Sequence, residues 1–164
     1  MAPKKPIEKA AFPRVVESAI DKNSGPEALY AALDLGTNSC RMLIAQPKGA
    51  QFHVIDSFAK SVQLGSGLEK TGRLSRDSIN RTIQALKVCK QKLDNYDVRY
   101  ARLIATEACR RAKNSKEFIS KVFQQTGLQL EIIDTEEEAR LAVISCAPLV
   151  SSKSEQLLVV DIGG

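Results

Sequence analysis

The sequence predicts an α/β fold: one mixed five-stranded sheet of strand order 3-2-1-4-5, with helices packed on it. Three observations carry that prediction. Three apolar strands follow one another through short turns between Leu29 and Ser61, which makes them antiparallel neighbours. Helical stretches then alternate with further strands, which makes those later strands parallel, with right-handed crossovers. The longest helical stretch repeats its apolar residues at a helical period: Ile79, Ile83, Leu86, Cys89 and Leu93 stand four, three, three and four apart.

The elements follow in chain order. Residues 1–28 carry prolines and the Asn23-Ser24-Gly25-Pro26 break but little apolar periodicity, so a disordered tail is expected. Strand one is Leu29 to Asp34 and strand two is Cys40 to Gln46. The turn signal Pro47-Lys48-Gly49-Ala50 leads into strand three, Gln51 to Ser61. Leu64-Gly65-Ser66-Gly67-Leu68 is a loop. Ser75 caps a helix to Tyr96, whose polar face carries Arg76, Arg81, Lys87, Lys90 and Lys92. Ala101 to Ala105 is a buried strand. Ser115 is expected to cap a helix to Gln125, with Gly127 placed to end it. Leu128 to Ile133 is a strand, Thr135 to Cys146 a helix stopped by Pro148, and Gln156 to Asp161 a final strand.

Composition narrows the function classes. No apolar run approaches the roughly 20 residues of a membrane span. The N-terminus has lysines but no apolar core of a secretory signal, so a cytoplasmic protein is expected. Cys40, Cys89, Cys109 and Cys146 are widely spaced and lie in apolar or helical stretches, which predicts reduced, mostly buried thiols. A single histidine, His53, makes a histidine-rich metal site a poor reading. The net charge of +5 is uneven. Lys70 to Gln125 holds fourteen Lys or Arg against five Asp or Glu, while Glu131 to Glu138 holds five carboxylates and no base. A basic flank attracts polyanions, although the same lysines equally suit solvated helix faces.

Several residues could carry chemistry. Asp34 ends the first strand, and Gly36-Thr37-Asn38-Ser39 forms the polar turn after it. Such a turn can aim backbone N–H groups at a phosphate, with a carboxylate beside it to bring Mg²⁺; an ordinary hairpin turn with Asp34 solvated reads the same residues equally well. Arg110 and Arg111 offer guanidinium forks for phosphate or simply a solvated pair. Thr135-Glu136-Glu137-Glu138 has the form of a capping box with Glu138 in its third helical position. Asp161 with Gly163 and Gly164 makes a second strand-to-glycine turn.

Four segments carry a resemblance, in order: Asp34-Leu35-Gly36-Thr37-Asn38-Ser39-Cys40-Arg41, Ala105-Thr106-Glu107-Ala108-Cys109-Arg110-Arg111-Ala112, Ile133-Asp134-Thr135-Glu136-Glu137-Glu138-Ala139-Arg140-Leu141 and Val159-Val160-Asp161-Ile162-Gly163-Gly164. They resemble the first phosphate loop, the A-T-x-A-x-R-x-A segment, the I-S-G-x-E-E-A-R-L segment and the start of the second phosphate loop of the Ppx/GppA family. That is the exopolyphosphatase/guanosine-pentaphosphatase branch of the actin/Hsp70/sugar-kinase superfold. The third segment is the most specific, because kinases and chaperones of the superfold lack it. Asp134-Thr135 departs from the usual Ser-Gly, and Cys40 replaces a common aromatic.

The resemblance implies an RNase H-like lobe over 29–150, then a linker and the first strand of a truncated second lobe over 151–164. It implies that Glu138 is the general base and that Asp161 assists it. Asp34 and Asp161 would hold Mg²⁺, and Gly36, Thr37, Asn38, Ser39, Arg110, Gly163 and Gly164 would bind phosphate. The Leu64–Leu68 loop would lie near the cleft. The implied activity is Mg²⁺-dependent release of terminal phosphate from inorganic polyphosphate or guanosine pentaphosphate, with the fragment by itself inactive. A non-catalytic polyphosphate or alarmone sensor and a kinase of the superfold are the rivals. No membrane or specific nucleic-acid partner is expected, and a homodimer stays open.

Overall fold

Alternation dictates the centre of the molecule. In β1 (Tyr30–Leu35) Ala31, Leu33 and Leu35 are buried, while Ala32 and Asp34 face the other side of the sheet. The structure is a computed structural model describing residues 28–49, 51–146 and 158–160. β1 pairs antiparallel with β2 (Ser39–Lys48), and β2 antiparallel with β3 (Gln51–Ser61). On its other side β1 runs parallel to β4 (Tyr100–Ala105), which runs parallel to the short β5 (Glu131–Ile132). The order β3-β2-β1-β4-β5 is the one the sequence predicts.

One face of this sheet holds the core. Cys40, Met42 and Ile44 of β2 and Ala101, Leu103 and Ala105 of β4 continue the buried row of β1. Against them pack α2 (Arg76–Asn95) and α4 (Ser115–Thr126). The expected stripe of α2, Ile79 to Leu93, is buried throughout, so its period reports a real packing face. Ser75 caps α2 as expected: its hydroxyl accepts the Ser78 N–H at 3.1 Å. Cys40, Cys89 and Cys109 are buried and reduced. Burial pushes the Cys109 thiol up to about 12, so it is a packing group.

The other face is covered in part by α5 (Thr135–Cys146). Arg102, alternating with buried Ala101 and Leu103, reaches Glu137 of that helix at 2.8 Å. Leu141 shares a cavity of about 480 Å³ with Ala32, Asp34, Arg41, Arg102 and Ile104. No side chain of α5 is buried.

Several boundaries differ from the sequence reading. β2 extends through Pro47, where β1 no longer flanks it, so the missing N–H leaves no gap in the β1 ladder. Only Glu131–Ile132 of the expected strand Leu128–Ile133 joins the ladder. Leu128, Leu130 and Ile133 are buried, so the apolar signal reports burial rather than pairing. Two helices of a single turn were not foreseen: α1 (Leu68–Thr71) and α3 (Glu107–Arg111). Ser115 is not a cap but the first residue of α4. Asn114 precedes it, and its amide instead bonds both backbone groups of Leu74, at 2.8 and 3.1 Å. Gly127 ends α4 as expected, with φ of 72° and its N–H on the Phe123 carbonyl.

The expected strand Gln156–Asp161 is corrected where it can be seen. Among the described residues Leu158–Val160 carry no strand pairing, and Leu158 is 86 % exposed. The rest of that strand, Pro148, and the tail over 1–27 lie outside the described residues. So do Asp161, Gly163 and Gly164.

Candidate functional site

The C-terminal ends of β1, β4 and β5 meet at one edge of the sheet, where open α/β sheets bind ligands. Backbone bonds tie the three ends together: Thr106 N–H to the Leu35 carbonyl and Ile133 N–H to the Ala105 carbonyl, both at 3.2 Å. The turn 36–38, α3 and the start of α5 are thereby gathered at this edge.

The turn is built by its backbone. The Gly36 N–H bonds the Ser39 carbonyl at 3.0 Å, and Ser39 belongs to the β2 ladder. The Gly36 amide therefore closes the turn and does not face a ligand, which narrows the expected four-residue cradle toward Thr37 and Asn38. A second loop leans on the first. Val62 and Gln63 donate to the Asn38 carbonyl at 2.9 and 3.0 Å, and Gly65 donates to the Thr37 carbonyl at 3.0 Å. Glycine is required at 65 by contact: a Cβ there would lie 2.3 Å from the Thr37 methyl carbon. Arg81 of α2 fastens the second loop, donating to the Val62 carbonyl at 3.2 Å.

These loops and α3 enclose a polar cleft of about 340 Å³. Thr37, Asn38, Gln63, Gly65, Glu107 and Arg111 are among its walls. The Leu64–Leu68 loop therefore does border the cleft. The Thr37 hydroxyl is buried and has no hydrogen-bond partner among the described residues. Asp34 lines the other, larger cavity, on the open sheet face and facing Arg41 across the strands. The aspartate and the turn after it thus open onto different hollows.

α5 begins differently from the sequence reading. Its cap is Asp134, whose carboxylate accepts the Glu137 N–H at 2.8 Å. Glu137 thereby takes the third helical position, and the expected Thr135–Glu138 capping box does not form. Asp134 stands one residue earlier, and its charged carboxylate is a strong acceptor at a helix N-terminus. Glu138 is freed from the cap and pairs with Arg110 at 2.7 Å. The structure thus joins the two residues that the sequence reading proposed separately.

Arg110 is already engaged by three acceptors. It donates to the Ile133 carbonyl at 3.0 Å and to Glu107 at 3.1 Å, besides Glu138. Burial opposes its charge, but the two carboxylates outweigh burial and raise its pKa. A phosphate could take this fork only in exchange for one of those carboxylates. Sequence reasoning missed Arg102, which pairs with Glu131 at 3.0 Å and Glu137 at 2.8 Å. Arg140 adds a third cation, bonding Glu137 at 2.6 Å. Arg140 first, then Arg102, hold the Glu137 carboxyl down at about 2. The acidic run Glu131–Glu138 was the visible signal that some cation had to be waiting for it.

The basic stretch is partly neutralised. Arg73, Lys90, Lys92, Arg99, Arg102, Arg110 and Arg111 are all ion-paired.

A family model described as the Ppx/GppA phosphatase family matches residues 43–164. Among solved structures, the Aquifex aeolicus member of the Ppx/GppA family is 39 % identical, with a TM-score of 0.69 over 73 % of this chain and 39 % of that one. The type II variant of the Aquifex aeolicus Ppx/GppA phosphatase is 38 % identical, with a TM-score of 0.70 over 75 % and 41 %. An exopolyphosphatase from Cytophaga hutchinsonii is 25 % identical, with a TM-score of 0.66 over 70 % and 36 %. The chain spans about two fifths of the length of these proteins. Among the described residues, no helix is long and apolar enough to cross a membrane.

Proposed function

The chain belongs to the Ppx/GppA phosphatase family, and on that premise we propose that it forms one wall of a phosphoanhydride hydrolase. The hydrolase releases terminal phosphate from inorganic polyphosphate or guanosine pentaphosphate. The observation that supports this most is the Arg110–Glu138 pair, 2.7 Å apart at the sheet edge that also carries the first phosphate loop.

Hydrolysis of a phosphoanhydride needs a positioned water, a proton acceptor and neutralisation of oxygen charge. In this reading Glu138 accepts the water proton, assisted by Asp161. Arg110 keeps Glu138 in place before substrate arrives. A terminal phosphate then competes for the guanidinium fork, which suits two phosphate oxygens. Taking that fork frees the Glu138 carboxylate to accept a proton. Thr37 and Asn38 bind phosphate on one side, with Gly36 and Ser39 closing their turn. Gly163 and Gly164 bind it from a second lobe that begins after the linker.

Mg²⁺ is the proposed cofactor. Among the described residues, no three His, Cys, Asp or Glu side chains stand close enough to hold a metal by themselves. Mg²⁺ characteristically binds through one or two carboxylates and the substrate's own phosphates. Asp34, which lines the sheet-face cavity and not the polar cleft beside Thr37, and Asp161 would hold it. When bound, it supplies charge neutralisation on the phosphate oxygens.

The test is phosphate release into water with no other acceptor, from polyphosphate and guanosine pentaphosphate side by side. The polypeptide should have the relatives' full length. Release that depends on Mg²⁺ is expected. Binding without release would make the protein a sensor, and transfer only to an added acceptor would make it a kinase; either result overturns the hydrolase.

A further inference from the structure

Arg111 is the one cation among the residues lining the polar cleft beside Thr37 and Asn38. It pairs with Glu69 at 2.7 Å and with Glu107 at 3.4 Å. Glu107 sits four residues back along α3, whereas Glu69 comes from α1, across the cleft. The two side chains stay wet, Glu69 at 76 % and Arg111 at 48 % exposed, so the pair can exchange partners readily.

α1 is small, and its C-terminal end is tied to the Lys113 N–H through the Gly72 carbonyl at 3.0 Å. It is one turn long, lies between Gly67 and Gly72, and buries only Leu68. Both glycines have left-handed φ, 78° and 66°, and a Cβ at Gly67 would meet nothing within 4 Å. Such positions absorb backbone rotation at little steric cost. The closed arrangement also leaves the Thr37 hydroxyl beside the cleft buried and unpartnered. Buried hydroxyls rarely stay unpartnered.

We propose that Arg111 is an anion-binding residue of this cleft, and that Glu69 is a displaceable carboxylate plug occupying it until a phosphate oxygen takes its place. The inference rests on the phosphoanhydride reading for its ligand class, an oligophosphate. It adds a residue and a gate outside the Arg110–Glu138 pair. Arg111 first lowers the carboxyl of Glu69 below its usual range, and Glu69 raises Arg111 in turn, so both are charged at neutral pH. An entering polyanion therefore meets a carboxylate before it reaches the cation. Glu69 sets how much negative charge is needed to open the cleft, which favours a multiply charged chain over a single phosphate.

Calorimetric titration with inorganic tripolyphosphate tests this without turnover, on the 164-residue chain at low salt. Removing a surface ion-pair partner changes affinity by up to about five-fold, so Glu69→Gln is expected to tighten binding about three- to five-fold. Arg111→Gln is expected to weaken binding and to abolish the effect of Glu69→Gln in the double variant. Glu117→Gln, an equal charge change on α4 away from the cleft, should leave the affinity unaltered. Unchanged affinity in Glu69→Gln overturns the plug. So does an equal gain in the presence and absence of Arg111, which would be mere loss of repulsion. Phosphate release by the longer polypeptide is scored separately. Release with no Glu69 effect on Kd or KM sinks the plug alone, and Glu69-dependent binding without release sinks the hydrolase alone.

Discussion

The two sides of the sheet edge are fastened by opposite means. The β1–β2 turn and the loop leaning on it are joined by backbone: the Asn38 carbonyl takes two N–H groups and the Thr37 carbonyl takes one. The start of α5 is held to the sheet by side-chain charge, Arg102 on Glu137 and Arg110 on Glu138, with Arg140 bonding Glu137 within the helix itself. α5 buries no side chain to help. Backbone bonds of this kind are indifferent to salt and pH over a wide range. Exposed ion pairs weaken with both. The difference teaches which wall is the template and which is adjustable: the phosphate turn is fixed by backbone, while the proposed base rides on a helix that, beyond the Ile133 backbone bond and the Asp134 cap, is held through ion pairs.

The sharpest way to break that comparison is Glu138→Gln in the full-length polypeptide. The amide cannot take a proton from water, and losing a general base costs about 10²- to 10⁴-fold in rate. We expect turnover to fall at least ~10²-fold. Melting should shift by less than the ~1 kcal/mol of a lost cap, because Asp134 is the cap and the amide oxygen can still face Arg110. Steady-state kinetics beside a thermal melt decides it; normal turnover would reduce Glu138 to a tether.

The fixed wall is probed by Gly65→Ala. Its added carbon would meet the Thr37 methyl carbon at 2.3 Å. Overpacking of this kind costs about 1–3 kcal/mol, read by denaturant unfolding. Thr37→Ser removes the offending methyl and should restore most of the loss. Full stability of Gly65→Ala alone would show that the loop gives way easily and is no template.

Smaller effects are expected on the adjustable wall. Arg102→Met should cost under ~1 kcal/mol, the usual range for partly exposed pairs. It should also raise hydrogen exchange at the first turn of α5 while leaving Val62 and Gly65 protected. About 1 M salt, with its ~3 Å screening length, should do the same in the unaltered protein. Equal responses on both walls would erase the distinction.

The least effect is on acid stability. Glu137 is held down at about 2. A carboxyl whose folded value is lowered stabilises the fold above its ordinary range, near 4.3, and that contribution disappears as pH falls toward about 2. Melting temperature should therefore decline across that window, and less steeply in Glu137→Gln. Identical slopes would remove Glu137 from the account.

What the sequence made legible follows the same division. Long periodic elements were readable: the α2 stripe, the Ser75 cap, the Gly127 stop and the order of the sheet. So was the family, through four short segments. α1 and α3 were not, since four or five residues are too few to display a helical period. The cap of α5 was misread by one residue because Asp134 and Thr135 are both good caps and only geometry chooses between them. Arg110 was read as a free phosphate ligand because sequence spacing cannot show that Glu107, Glu138 and the Ile133 carbonyl converge on it.

The register of the sheet carries one more consequence, in time rather than space. β1, β2 and β3 are joined by short turns and can pair as soon as they exist. The pairing of Tyr30 with Tyr100 instead closes a loop of about seventy residues, and the two rings stack at 5.1 Å only once α2 lies between those strands. Closing such a loop costs entropy before any of its contacts repay it. The three-stranded meander therefore precedes the parallel pair. The edge where the phosphate turn meets α3 is therefore expected to form after the meander, when β4 pairs with a first strand that already carries its turn.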